Sequence, residues 1–254
     1  MTLTVRQFPC LSDNYGFLVR DEASGLTACV DTPDAEAILA LLEAEGWELN
    51  FIFNTHWHPD HAGGNAAVKA ATGATVVGPA EVTRIAALDR TVAGGDVVML
   101  GDTRFEVIET GGHTLGHIAY FDPADEIAFV GDTLFALGCG RLFEGTAEQM
   151  WTSLGRLAAL PEDTRVYCAH EYTASNARFA LSVDDSPALK SRAEAVFAAR
   201  RRGEATVPTT IGLEKATNPF LRAPLLAAGI GQRPGAPDFE AFGAVRAAKD
   251  NFRG

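Results

Sequence analysis

The chain has 254 residues, 47% of them hydrophobic, with 21 Lys and Arg against 33 Asp and Glu, a formal net charge of −12. That apolar content is too high for disorder, an isoelectric point near 4.9 speaks against a broad nucleic-acid footprint, and no apolar run approaches the roughly 18 residues of a bilayer span. Four scattered cysteines without a Cys-x-x-Cys pair exclude a disulfide scaffold and a Cys-rich zinc module.

In chain order, the first two-thirds reads as short strands punctuated by turns. Thr2–Phe8 alternates apolar and polar residues, Tyr15–Val19 follows the turn formers Ser12-Asp13-Asn14, and Leu26–Val30 is an apolar run ending at Asp31. Asp34–Glu45 has helical spacing, with Gly46 placed to cap it. Strands are expected at Asn50–Phe53, Thr75–Val77, Val97–Leu100, Thr103–Glu109, Ile118–Phe121, Ile127–Val130 and Arg165–Cys168. Helices are expected at Asn65–Ala71 and, capped by Thr146, at Thr146–Leu160.

After His170 the pattern turns helical: Ala174–Leu181, Pro187–Arg202 and Asp238–Phe252, with no convincing strand between them. Pro187 suits a first helical turn and Gly203 a terminator. The Arg200-Arg201-Arg202 run reads as a solvated last turn complementing the helix dipole. The charge divides at the same place. Through Tyr172 there are 9 Lys and Arg against 25 Asp and Glu; from Thr173 onward there are 12 against 8. An acidic body of −16 therefore carries a tail of +4, and two domains are expected, residues 1–172 and 173–254.

Chemistry concentrates in Thr55-His56-Trp57-His58-Pro59-Asp60-His61. In an extended loop, residues two apart point the same way, so His56 and His58 can converge on one metal, while Asp60 and His61 can serve a second. Separately satisfied surface histidines are the alternative. Three of the chain's six histidines within six residues weigh against it. His113, Asp132 and His170 each lie just past the expected end of a strand, where sheet proteins assemble sites from loops. The set totals five His and two Asp, all nitrogen or oxygen donors, so zinc, iron and manganese all suit it.

This set resembles the metallo-β-lactamase superfamily over residues 1–172. The resemblance implies an α+β fold, a metallo-β-lactamase αβ/βα sandwich followed by a small all-α C-terminal domain. It implies two divalent metal ions, zinc first and iron or manganese as alternatives. One ion would take His56, His58 and His113, the other Asp60, His61 and His170, with Asp132 bridging. His117, in His113-Thr114-Leu115-Gly116-His117, is not a ligand in that pattern, and a packed supporting role is expected.

Further pieces narrow the likeness. Leu11-Ser12-Asp13-Asn14-Tyr15, Gly138-Cys139-Gly140-Arg141-Leu142-Phe143-Glu144-Gly145-Thr146-Ala147, His170-Glu171-Tyr172-Thr173, Thr217-Asn218-Pro219-Phe220-Leu221-Arg222 and Val245-Arg246-Ala247-Ala248-Lys249-Asp250 are similar to the glyoxalase II (hydroxyacylglutathione hydrolase) family. That resemblance implies hydrolysis of S-(2-hydroxyacyl)glutathione thioesters by a metal-bridging hydroxide, the second step of methylglyoxal detoxification. Asp60 and Asp132 would take part in catalysis, and Arg141, Phe143, Tyr172, Arg246 and Lys249 would meet the substrate. Position 141 is Lys in some members, and Phe143 replaces a Tyr, removing a phenolic contact. Arg246 and Lys249, three apart on a helix, share a face suited to a carboxylate.

Cys139 and Cys168 lack the adjacent base a nucleophile needs and are expected to be structural. The rival is a mononuclear-iron glutathione persulfide dioxygenase; a lactamase, a nuclease and a non-enzymatic metal module fit less well. The N-terminal residues lack a signal-peptide pattern. The expectation is a cytoplasmic enzyme acting on a small glutathione thioester, without nucleic acid, membrane or obligatory protein partner.

Overall fold

The computed structural model describes residues 3–226, 229 and 235–254, so Thr2 of the expected first strand lies outside the described residues. Internal contacts divide the chain into two compact units. One runs through Glu109 and resumes over Thr114–Gly131; the other takes Thr110–His113 and Asp132–Gly254.

In the first unit, six strands form one sheet in sequential order: β1 (Leu3–Cys10), β2 (Asn14–Asp21), β3 (Thr27–Val30), β4 (Phe51–Phe53), β5 (Thr75–Gly78) and β6 (Arg90–Thr91). β1 to β3 pair antiparallel and β3 to β6 parallel. The parallel crossovers carry helices α1 (Ala35–Glu45), α2 (Pro59–Ala62) and α3 (Asn65–Thr72), and a 3-10 turn covers Ala80–Arg84. The remaining strands, β7 (Val97–Leu100), β8 (Thr103–Glu109), β9 (Ile118–Asp122) and β10 (Ile127–Gly131), form an antiparallel meander.

Strand alternation sorts the side chains into two layers. Leu18, Cys29, Ile52 and Val76 pack with Ile38 and Leu42 of α1 and Val68 of α3. Phe17 and Phe53 point the other way. Phe17 meets Phe129, with centroids 5.5 Å apart, and Phe53 meets Phe105 at 5.9 Å and Tyr120 at 5.3 Å. Burial on both faces is why β3 and β4 read as near-continuous apolar runs. In register, Val30 lies beside Phe53 and Phe53 beside Val77. The residues that follow β3 and β4, Asp31 and Thr55 onward, therefore emerge at one sheet edge.

The second unit contains a short hairpin, β11 (Leu134–Phe135) with β12 (Gly138–Cys139), then α4 (Ala147–Ala158) and β13 (Arg165–Cys168). Next come α5 (Thr173–Val183), α6 (Pro187–Arg201), β14 (Thr209–Thr210), α7 (Ile211–Thr217), α8 (Ala223–Leu226) and α9 (Asp238–Asn251). Thr146 caps α4 in a reciprocal box with Gln149, and Gly46, at φ 66°, closes α1 as expected. α5 and α6 pack over Ala177, Ala180, Leu189 and Ala193, where the three alanines let the helices approach closely.

One expectation fails: a strand does follow His170. Thr209 and Thr210 pair antiparallel with Val166 and Arg165. Two β-branched residues are too few for a period to show, so only their partner strand reveals them. The Arg200–Arg202 run ends α6, with Arg202 paired to Glu204 in solvent.

Candidate active site

The metal motif begins where β4 ends. His56 and His58 follow in extended chain, and their rings meet through His56 Nε2 and His58 Nδ1, 3.0 Å apart. Pro59 then starts the one-turn helix α2, which turns Asp60 and His61 to a new direction. His61 Nε2 lies 3.6 Å from Asp60 Oδ2. In the second unit, Asp132 stands between two imidazoles, with Oδ2 3.3 Å from His113 Nε2 and Oδ1 3.3 Å from His170 Nε2.

These spacings suit a metal. Metal–nitrogen bonds of about 2.0–2.1 Å at tetrahedral angles separate neighbouring ligand atoms by ~3.3 Å. Each of His56, His58, Asp60, His61, His113, Asp132 and His170 belongs to a group of side chains able to hold an ion; His117 does not. His117 is buried and stacks on His56, with centroids 4.7 Å apart. The donors are imidazole and carboxylate, the set expected for divalent zinc, iron or manganese.

Neighbouring polar groups hold the imidazoles in place. Asp31 Oδ2 meets His61 Nδ1 at 2.8 Å and accepts the Thr55 hydroxyl at 2.8 Å. The Thr55 amide donates to Asp31 Oδ1, also at 2.8 Å. His113 Nδ1 lies 2.8 Å from the Arg141 carbonyl, and Thr55 Oγ1 lies 3.0 Å from His56 Nδ1. Asn14 Nδ2 donates to Asp60 Oδ2 at 3.2 Å. Such partners orient ligands and raise their basicity. Asp31 and these contacts are missing from the motif reading. The available signal was an acidic residue directly after a buried strand, the same rule that found Asp132. Asp31 holds φ 57°, a left-handed conformation that is strained for a non-glycine residue. Gly140 is required by close approach: a Cβ there would lie 1.9 Å from the Asp132 carbonyl oxygen.

A cavity of about 470 Å³ is lined by His113 and Asp132 and by all five expected substrate residues, Arg141, Phe143, Tyr172, Arg246 and Lys249. Arg253, Ser175 and Phe135 also line it. Phe143 is 62% exposed, its ring 5.1 Å from that of His113, and Tyr172 stacks on His170 at 4.7 Å. Lys249 Nζ donates to the carbonyl and hydroxyl of Ser175, both at 3.2 Å. Burial, with the positive charges of Arg246, Arg178 and Arg141, lowers the Lys249 pKa to about 8.

Arg246 differs from Lys249. It is buried, and it donates through Nη1 to the Cys139 carbonyl at 3.0 Å and through Nη2 to Asp250 at 2.8 Å. Among the described residues its buried Nε has no hydrogen-bond partner. All four cysteines are buried and free. Burial raises the thiols of Cys139 to about 11 and Cys168 to about 12, so neither is a nucleophile at neutral pH.

Layered sheets with helices, and His and Asp groups at strand ends, define a class of metal-binding α+β proteins. Residues 27–170 match the profile of the metallo-β-lactamase superfamily, and residues 171–252 match that of the hydroxyacylglutathione hydrolase C-terminus. Among solved structures, ETHE1 from Myxococcus xanthus is 28% identical, with a TM-score of 0.65, covering 97% of this chain and 98% of that one. TTHA1623, solved in a di-iron-bound form, is 26% identical with a TM-score of 0.62, covering 86% of this chain and 100% of that one. A hydroxyacylglutathione hydrolase of Maricaulis maris (strain MCS10) is 57% identical over 254 residues, covering 98% of this chain and 99% of that protein. The chain belongs to the hydroxyacylglutathione hydrolase family of the metallo-β-lactamase superfamily. It carries a divalent metal-binding site built from His and Asp. No described helix is long and apolar enough to cross a membrane.

Proposed function

We propose that the chain hydrolyses S-(2-hydroxyacyl)glutathione thioesters, S-D-lactoylglutathione among them, to glutathione and the free hydroxy acid, in the cytoplasm and as the second step of methylglyoxal detoxification. The carrying observation is the single cavity that His113 and Asp132 share with the cations Arg141, Arg246 and Lys249. A glutathione thioester has the complementary layout, an electrophilic carbonyl joined through sulfur to an anionic tripeptide.

His56, His58 and His113 would hold one divalent ion and Asp60, His61 and His170 a second, with Asp132 shared; zinc is our first assignment, and iron or manganese also suit the donors. Bound there, such ions would acidify a bound water towards neutral pH and supply Lewis-acid polarisation of the carbonyl. Asp60, steadied by Asn14, orients the attacking water. Lys249 and Arg141 hold the tripeptide's carboxylates by charge-assisted hydrogen bonds. Tyr172 and Phe143 contribute aromatic surface beside the sulfur. Water adds to the carbonyl carbon and gives up its protons to solvent, the C–S bond breaks, and the electron pair leaves on sulfur. A thiolate is a good leaving group, so no dedicated general acid is required. In this reading residues 1–172 form the catalytic domain, which also supplies Arg141, Phe143 and Tyr172 to the substrate pocket, and residues 173–254 the substrate-binding domain, which supplies Arg246 and Lys249.

The test is hydrolysis by metal-analysed protein of lactoylglutathione and of a thioester lacking the glutathione half. Turnover selective for the glutathione substrate is expected. Oxygen consumption with glutathione persulfide, without thioester cleavage, would overturn the assignment.

A further inference from the structure

The β11–β12 hairpin gives the cavity two of its lining residues, Phe135 and Cys139. The Phe135 ring stands edge-on to Tyr172, with centroids 5.5 Å apart, and to His170 at 5.9 Å. Each residue from 135 to 139 is anchored through its backbone by a side chain from later in the chain. The Phe135 carbonyl accepts from Asn218 Nδ2 at 3.1 Å, and the Ala136 carbonyl from Asn176 Nδ2 at 3.1 Å. The Leu137 amide donates to Glu214 Oε2 at 2.9 Å. The Gly138 carbonyl accepts from Asn218 Nδ2 at 2.9 Å, and the Cys139 carbonyl from Arg246.

The turn would not hold this shape unaided. Leu137 sits at φ 58°, which leucine disfavours, and a Cβ on Gly138 would lie 2.4 Å from Asn176 Nδ2. Glu214 is fully buried. Its Oε1 pairs with Arg192 and accepts the Thr209 hydroxyl at 2.5 Å, while its Oε2 takes the Leu137 amide and, at 2.9 Å, Asn218 Nδ2. Arg192 in turn donates to the Thr217 hydroxyl at 2.6 Å. A buried carboxylate is tolerated only when paired and hydrogen-bonded, and this one is both.

We propose that Glu214 and Asn218, charge-balanced by Arg192, are positioning residues for glutathione recognition, fixing the 134–139 hairpin so that Phe135 backs Tyr172 and the Cys139 carbonyl seats Arg246. The proposal rests on the thioester-hydrolase reading. Loosening the hairpin spoils the pocket for the tripeptide and leaves the metal ligands in place.

The experiment uses the metal-loaded full chain and its Asn218→Ala variant, with Glu214→Gln as the isosteric second variant should the first not fold. KM for lactoylglutathione is expected to rise roughly tenfold, as losing the two Asn218 bonds to the hairpin carbonyls implies. Metal content and kcat should stay within about twofold of wild type, and turnover of a thioester lacking glutathione should change no more than that. Amide exchange over 135–139 should accelerate while the first unit keeps its protection. Unchanged KM in a folded variant, wild-type exchange across the hairpin, or equal losses on both thioesters would each overturn the positioning role. If wild type itself cleaves no glutathione thioester, the functional reading fails instead, and hairpin exchange still tests the anchoring.

Discussion

Asp31 shows how much of a candidate metal centre lies outside the side chains that could hold the ion. Its carboxylate is buried between His61 and Thr55, so removing it frees the imidazole and leaves the Thr55 amide and hydroxyl without this acceptor. Asp31→Ala should lower metal affinity by about 10–100-fold, measured by competition with a chromophoric chelator; an unchanged affinity would show that His61 is oriented by other means. Lys249 makes a pH prediction. Its ammonium, ordinarily near 10.5, is held at about 8, first by burial and then by Arg246, Arg178 and Arg141. A bound carboxylate favours the charged form, so binding takes up a proton on the alkaline side. KM should be flat below about pH 8 and rise above it, whereas Lys249→Met should show a higher KM at pH 7 and no further rise from this group. Coincident KM–pH profiles for the two proteins would rule the anchor out. In the free protein the sign is opposite to that of an ion-paired lysine. The unfolded chain holds this proton more tightly between about pH 8 and 10.5, so the group's contribution favours folding as pH rises through that window.

At the scale of elements, β4 links core to chemistry: Phe53 packs on Phe105 and Tyr120, and His56 follows three residues later. Phe53→Ala should cost about 3–5 kcal/mol of unfolding free energy, read by denaturant titration of the metal-loaded protein. A loss below about 1 kcal/mol would mean the layer collapses around the gap. Helix α9 separates two kinds of cation. Arg246→Ala should raise KM and lower Tm together, because it removes the bonds to Cys139 and Asp250. Lys249→Ala should raise KM with little effect on Tm, and equal Tm losses in both variants would erase that distinction.

For the whole molecule, the central expectation concerns metal removal. Binding to the folded state alone stabilises by mass action, so chelation should abolish turnover and lower Tm, and stoichiometric zinc, iron or manganese should restore both. Activity that survives with metal below one-tenth of an equivalent would exclude a metal-dependent hydrolysis. The division of charge takes on meaning at this scale. The −16 body contains Asp60 and Asp132, which bound cations would offset, and the +4 tail contains Lys249 and Arg253 of the cavity.

What the linear sequence determined was local and repetitive. Two-residue and helical periods located most of the longer strands and helices, and the His56–His61 cluster stood out because metal chemistry draws on few residue types at short spacing. Arg141, Phe143, Tyr172, Arg246 and Lys249 were legible only through family resemblance, since each residue type is common on a solvated surface. Tertiary structure decided the rest. Asp31 reaches His61 across thirty residues through parallel strand register, and Thr209–Thr210 is a strand only because β13 lies beside it. The roles of Arg246, Glu214 and Asn218 depend on backbone groups about 77–107 residues away, and no sequence period reports a partner at that separation. A buried polar group must be satisfied wherever the fold places it, so the identity of its partner is a property of packing.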